Sequence, residues 1–224
     1  MLDSLSQINL NLSNIVVDYI MEKILTGEYK QGEKISERKI AEDLKISRSP
    51  IREGIKVIQE QGILEFIPRK GNFVTIMSIE DIKEVFEIRC FLEDDIIEIL
   101  IKDNILNDND FNKLSSIVDE MVYIANSDKP LNIKIYEISI KDIEFHKYMW
   151  EKSNSKRRLK ILKDMYLNLQ LAMAIENNVG SDLEAISIEH NLIIDAIKDR
   201  NLDLAKKHMR NHIVSFRGEI LADV

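Results

Sequence analysis

Four histidines, all in the second half of the chain, are the first candidates for chemistry: His146, His190, His208 and His212. Asp142 and His146 stand four apart in KDIEFHKYM, which puts both on one helix face. That face also carries Ile135, Ile138, Phe145 and Met149, so it is expected to turn inward. His190 lies among Leu183, Ile186, Ile193, Ile194 and Ile197. His212 follows Ala205 and Met209 and precedes Phe216, a third inward stripe. A single histidine in such a setting reads as a hydrogen-bonded core residue, and one Asp-x-x-x-His pair is weak because any helix offers many. A carboxylate and three imidazoles, each buried unpaired, are costly. One shared divalent cation resolves all of them, and His/Asp ligands suit zinc, nickel or manganese. Asp142, His146, His190 and His212 are the candidate ligands; His208, beside Lys206 and Lys207, reads as peripheral. An octahedral ion so held keeps open positions for a small carboxylate to chelate.

Arg89 is the next unusual residue, set among Ile82, Val85, Phe86, Leu92 and Ile96 in EVFEIRCFLED. A buried guanidinium wants a carboxylate partner. Glu93 or Asp142 would make it an internal ion pair; a bound acidic effector would make it an anchor.

A second group of chemistry-bearing residues lies in the first half. Lys45, Arg48 and Arg52 mark the start of a helix, and Arg69 and Lys70 stand beside Gly71. The elements around them are legible. Residues 10–26 place Ile15, Tyr19, Ile20 and Ile24 at helical spacing. ISERKIAEDLKI follows a Gly-bounded turn, with Ser36 as N-cap and Ile40, Ala41 and Leu44 on one face. RSPIREGIKVIQEQG is a further helix with Ile51, Ile55 and Ile58 inward, and Pro50 in its first turn loses nothing by lacking an N–H. GILEFI and GNFVTI, separated by PRKG, read as a β-hairpin with Gly71 at its tip.

Helix, tight turn, helix, hairpin is the order of a winged helix-turn-helix, whose second helix enters the major groove N-terminus first. Ser47, Arg48 and Ser49 at that end suit phosphate oxygens. Arg48 and Arg52 share a face, and either could pair bidentately with guanine. Arg38 could reach a phosphate. A solvated charged face on a small bundle is the bland alternative, and the turn, the helix start and the basic hairpin together argue against it.

Beyond residue 78 the pattern is helical throughout, over about 79–103, 109–126, 132–152, 155–177, 182–199 and 201–221, with Asp182 and Asn201 as caps. The expected fold is mostly α: a winged helix-turn-helix with a small hairpin over 1–76, then an all-α antiparallel bundle over 79–224. Only 7 Gly and 3 Pro in 224 residues accord with long helices and short connections.

A net charge of −8 would count against a nucleic-acid partner if it were spread evenly. It is not. Residues 1–76 hold 11 basic and 11 acidic side chains, and residues 77–224 hold 20 and 28, so the excess belongs to the second half. The single Cys90 excludes an internal disulfide framework and a Cys-based zinc site. A lone thiol, no apolar run near ~18 residues and no secretory signal at the N-terminus lead us to expect a cytoplasmic protein with no membrane partner.

The stretch from GEYKQGEKISERKIAEDLKISRSPIREGIK to FIPRKGNFV closely resembles the N-terminal domain of the GntR family of bacterial transcription regulators. The resemblance covers about 60 residues and implies operator contact through Arg38, Arg48, Arg52 and the wing around Gly71. Gly54 departs from the family's usual Ala, and a helical Gly costs about 1 kcal/mol against Ala. DIEFH, then EHNLIIDAIKDRN, then AKKHMRNHI resemble the FCD domain of the FadR subfamily. That resemblance implies a bundle that binds effectors and often holds a divalent metal, here through Asp142, His146, His190 and His212. Arg89 matches an Arg of the family's R-x-x-L-E motif, which serves structure and ligand equally well. Residues 164–197 contain six acids and no Lys or Arg, which puts a strongly anionic effector in doubt.

The expected function is a ligand-responsive, DNA-binding transcriptional regulator, a repressor of a metabolic operon, and not an enzyme. Its expected partners are double-stranded operator DNA and a small-molecule effector, a carboxylate among the candidates. A homodimer is expected because two half-sites a helical turn apart supply the affinity that one winged domain lacks. A regulator for which the ion itself is the signal, and a metal-dependent hydrolase, are the other readings. The hydrolase would need a general base that the Ile, Leu and Phe around the ligands do not provide.

Overall fold

A computed structural model of the chain describes residues 2–177 and 182–215, which form two compact units, 1–77 and 78–224. The first unit runs α1 (Leu2–Leu25), β1 (Lys34–Ile35), α2 (Glu37–Leu44), α3 (Arg48–Glu60), β2 (Leu64–Ile67) and β3 (Gly71–Val74). Its antiparallel sheet has the order β1-β3-β2. The two-residue β1 is too short for any alternation to announce it.

Ser36 caps α2 by accepting from the Lys39 N–H, and α2 ends at Lys45 in a left-handed conformation, φ 56°. That residue turns the chain sharply into α3. Ile51, Ile55 and Ile58 of α3 are buried, as their spacing places them, and α3 packs against α1 and α2, where Ile40 is also buried. The inward face of α1 differs from expectation. Val16, Ile20 and Ile24 form it, while Ile15 is 48% exposed and Tyr19 reaches outward to Asp43. The hairpin also differs in detail. Pro68, Arg69 (φ 66°) and Lys70 form the turn, and Gly71 is the first residue of β3, paired with Ile67 at φ 103°.

Gly54 explains the position of α1. A Cβ there would stand 2.7 Å from Val16 Cβ and 2.8 Å from the Ser13 carbonyl oxygen, so α1 occupies the space that an alanine would need. The glycine does not loosen α3; it admits α1. Gly54→Ala is therefore expected to destabilise the first unit. Overpacking costs about 1–3 kcal/mol, more than the ~1 kcal/mol that helix propensity returns. A higher melting temperature in a thermal scan would refute this packing account.

The second unit is an all-helical antiparallel bundle among the described residues: α4 (Ile79–Lys102), α5 (Asp108–Ala125), α6 (Leu131–Lys152), α7 (Lys156–Asp164), α8 (Tyr166–Asn177), α9 (Leu183–Lys198) and α10 (Leu202–Ser215). Ser78 with Asp81 and Asn107 with Asp110 form capping boxes at the starts of α4 and α5. Asp182 caps α9, and the Asn201 side chain accepts from the Leu204 N–H at the start of α10. The single helix expected over 155–177 is two, separated at Met165. The reason is burial. Basic α7 buries only Leu162, whereas α8 buries Leu167, Leu169, Leu171, Ala172 and Met173, so the chain must bend from surface to interior. The expected break at 178–181, the last turns of the helix expected to reach 221, and Phe216 lie outside the described residues. No described helix is long and apolar enough to cross a membrane.

Candidate metal centre and basic surface

The basic residues of the first unit lie on its surface. Arg48 opens α3, exposed and with no carboxylate partner among the described residues. Arg52, one turn on, donates to Glu37 at 3.1 Å, and Arg38 donates to Glu42 at 2.8 Å. Glu37 and Glu42 had not been singled out from the sequence, although the Arg38/Glu42 spacing is the ordinary i,i+4 signal. Exposed pairs of this kind contribute ~0–1 kcal/mol, so either arginine can exchange its carboxylate for a phosphate at little cost. Ser47 occupies the N-cap position of α3 without making a side-chain capping bond, and Ser49 Oγ donates weakly to Glu53 at 3.5 Å. Arg69 and Lys70 are exposed in the hairpin turn beside half-buried Gly71.

In the second unit, α6, α9 and α10 bring Asp142, His146, His190 and His212 together at no more than 1% exposure. One ligand atom from each lies within 4.8 Å of the others. His190 Nε2 and His212 Nε2 each stand 3.1 Å from Asp142 Oδ1, and His146 Nε2 stands 3.2 Å from His212 Nε2. Phe145 packs edge-on against His190 and His146. His208 stays outside the cluster.

The outer nitrogens decide what this arrangement can hold. His146 Nδ1 donates to Glu93 Oε2 at 2.6 Å, and His190 Nδ1 donates to the Ser187 carbonyl at 3.1 Å. His212 Nδ1 lies 3.7 Å from Glu189 Oε2. A neutral imidazole has one donor and one acceptor nitrogen, yet His190 meets an acceptor on each side. In either tautomer one lone pair faces an oxygen. A cation at the inner nitrogens removes this mismatch at His190, and the outer hydrogen bonds are those that orient metal-bound histidines. The donor set fits a divalent metal.

Arg89 is fully buried. It donates from Nε to Glu93 Oε1 at 2.8 Å and from Nη2 to Asp142 Oδ2 at 3.2 Å, so it pairs with both carboxylates open to it from the sequence. Its Nη1 faces the Met173 sulfur at 3.8 Å. Burial pushes the Asp142 carboxyl up, but Arg89, then His146, His190 and His212, outweigh it and hold the group well below its ordinary value. Burial likewise opposes ionisation of Glu93, which His146 and Arg89 nonetheless bring down to about 2. Burial, and then the neighbouring His212, push His190 down to about 4. His212 moves the other way: its hydrogen bond to Asp142 and the nearby Glu189 carboxylate overcome burial and raise it. Glu93, Glu189 and the Ser187 carbonyl were not recognised from the sequence as histidine partners. Only Glu93, one turn after Arg89, left a signal that could have been used.

A hollow of about 360 Å³ opens elsewhere on this unit, between Leu100, Leu106, Phe111 and Ile197, and contains none of these residues.

Comparison with known proteins matches residues 12–74 to the model for bacterial regulatory proteins of the gntR family and residues 84–215 to the FCD domain. An uncharacterized HTH-type transcriptional regulator, YdhC of Bacillus subtilis, is 28% identical over 194 residues, 86% of this chain and 84% of its own. The gluconate operon transcriptional repressor of Bacillus licheniformis is 27% identical over 204 residues, 88% of this chain and 80% of its own. Among solved structures, E. coli McbR/YncC superposes with a TM-score of 0.73 at 16% identity, covering 91% of this chain and 94% of its own. That likeness concerns the fold alone.

Proposed function

The chain belongs to the gntR family of bacterial regulatory proteins and carries its FCD domain, in the manner of the FadR-like subfamily, and from that premise we propose a metal-containing, effector-responsive repressor of a metabolic operon. It is a DNA-binding transcriptional regulator with an effector-binding domain. In the reading we propose, α3 enters the operator major groove with Arg48 and Arg52 on base edges. Arg38, Ser47, Ser49, Arg69, Lys70 and the Gly71 backbone contact phosphates. Two chains act as a homodimer on paired half-sites, and the effector shifts the population of head arrangements.

The observation that carries the sensory half is the convergence of Asp142 Oδ1 and three imidazole nitrogens whose outer nitrogens all face oxygens. These four side chains would hold zinc, nickel or manganese. Bound there, the ion supplies Lewis-acid positions for the oxygens of a small carboxylate. The gluconate operon repressors of B. licheniformis and B. subtilis, at 27% and 26% identity, make a singly charged sugar acid the first effector to try. The acid-rich segment 164–197, without Lys or Arg, agrees with a weakly anionic molecule.

Elemental analysis of purified protein is expected to find about one divalent ion per chain. His190→Ala should lose most of it, and equal metal in that variant would leave only core histidines. Gluconate added to the zinc-loaded chain should weaken its hold on DNA selected from random duplexes. A response to zinc alone, with none to gluconate, would make the ion the signal instead.

A further inference from the structure

This inference rests on the metal reading above and concerns two residues outside the ligand set. Glu93 and Arg89 stand one turn apart on α4, as His146 and Asp142 do on α6. Three hydrogen bonds join them: His146 Nδ1 to Glu93 Oε2 (2.6 Å), Arg89 Nε to Glu93 Oε1 (2.8 Å) and Arg89 Nη2 to Asp142 Oδ2 (3.2 Å). His146 and Asp142 meet on the inner side, Nε2 to Oδ1 at 3.7 Å, and so close a ring. All four side chains are at most 1% exposed.

Each bond in the ring makes a choice for the metal. By accepting the hydrogen bond from Nδ1–H, Glu93 fixes the His146 tautomer and leaves Nε2 as a lone pair aimed at the other ligands. By occupying Asp142 Oδ2, Arg89 leaves Oδ1 as the ligating oxygen. Oδ1 is also the atom 3.1 Å from both His190 Nε2 and His212 Nε2. A buried ion pair that served stability alone would need neither selection. We propose that Glu93 and Arg89 are positioning residues for the metal, so that occupancy of the centre and the seating of α4 form one equilibrium. α4 is the segment that follows directly on the DNA-binding unit in the chain, since its N-cap is Ser78.

The test uses full-length protein stripped with a chelator and titrated with Zn²⁺ against a chromophoric competitor. Glu93→Gln offers one oxygen where two are needed, and its amide can drive the His146 proton onto Nε2. It is expected to bind zinc about 10- to 100-fold more weakly than wild type, with Glu93→Asp recovering part of the loss. The visible spectrum of Co²⁺ bound to Glu93→Gln should differ from that of the wild type. A second measurement needs no variant: Zn²⁺ added to the stripped wild type should slow amide exchange across residues 86–97 of α4. Wild type that takes up no Zn²⁺ would overturn the metal reading itself. Wild type that binds, with Glu93→Gln matching its affinity and spectrum and α4 exchange unchanged, would overturn only the positioning role.

Discussion

Arg48→Ala is expected to weaken binding to a selected operator about 10- to 100-fold, the ~1–3 kcal/mol of one bidentate base contact. It should also relax sequence preference while leaving the melting temperature unchanged. Arg48 is exposed at the first position of α3 and has no carboxylate partner among the described residues, so its removal costs the folded chain nothing. Surface substitutions of that kind stay within about ±0.5 kcal/mol. Arg52→Ala should weaken binding similarly while releasing Glu37 from its 3.1 Å pair. Arg38→Ala, on the preceding helix, should weaken all sequences uniformly and flatten the salt dependence, as loss of a phosphate contact does. Anisotropy titrations with operator and scrambled duplexes separate the two patterns. If Arg48→Ala bound the operator like wild type, α3 would not be the reading helix.

What was legible in the sequence was whatever depends on residues close together in the chain. Helical spacing on α3 placed Ile51, Ile55 and Ile58 inward, and Asp142 and His146 announced themselves by the same rule. Failures came where a distant element decides. The burial of Val16 in place of Ile15 depends on Gly54, thirty-eight residues away, whose missing Cβ admits α1. The bend at Met165 depends on how much of α8 the rest of the bundle covers. The outer partners of the histidines were illegible for the same reason. Glu93 is fifty-three residues from His146, and its one sign, its place a turn after Arg89, marked it as a partner for the guanidinium and not for a histidine. Arg89 gave that sign, because a cation on an apolar stripe must be answered, and the structure answers it with both candidate acids at once.

The second large effect should come from that answer. Asp142→Ala is expected to abolish metal retention and, with metal present, to lower the melting temperature of the second unit by about 20 °C, from two separable causes of about 10 °C each. Removing one partner of a buried charge pair costs about 3–5 kcal/mol, because Arg89 would keep only Glu93 against it at zero exposure. For a unit of this size each kcal/mol shifts the melting temperature by about 2–4 °C. The other cause is lost linkage: an ion at a thousand times its dissociation constant stabilises by about 4 kcal/mol. Melting both proteins in chelator isolates the first cause, since neither then holds metal. Melting the wild type with and without chelator isolates the second. Asp142→Asn keeps the shape and one acceptor oxygen for Arg89 but removes the charge, so it should fall between wild type and Asp142→Ala in chelator and still fail to retain metal. An Asp142→Ala chain that melts within about 2 °C of wild type in chelator, less than ~1 kcal/mol, would mean that Arg89 finds another partner. The carboxylate would then be dispensable to the fold, and its place among three buried imidazoles would have to be explained by the metal alone.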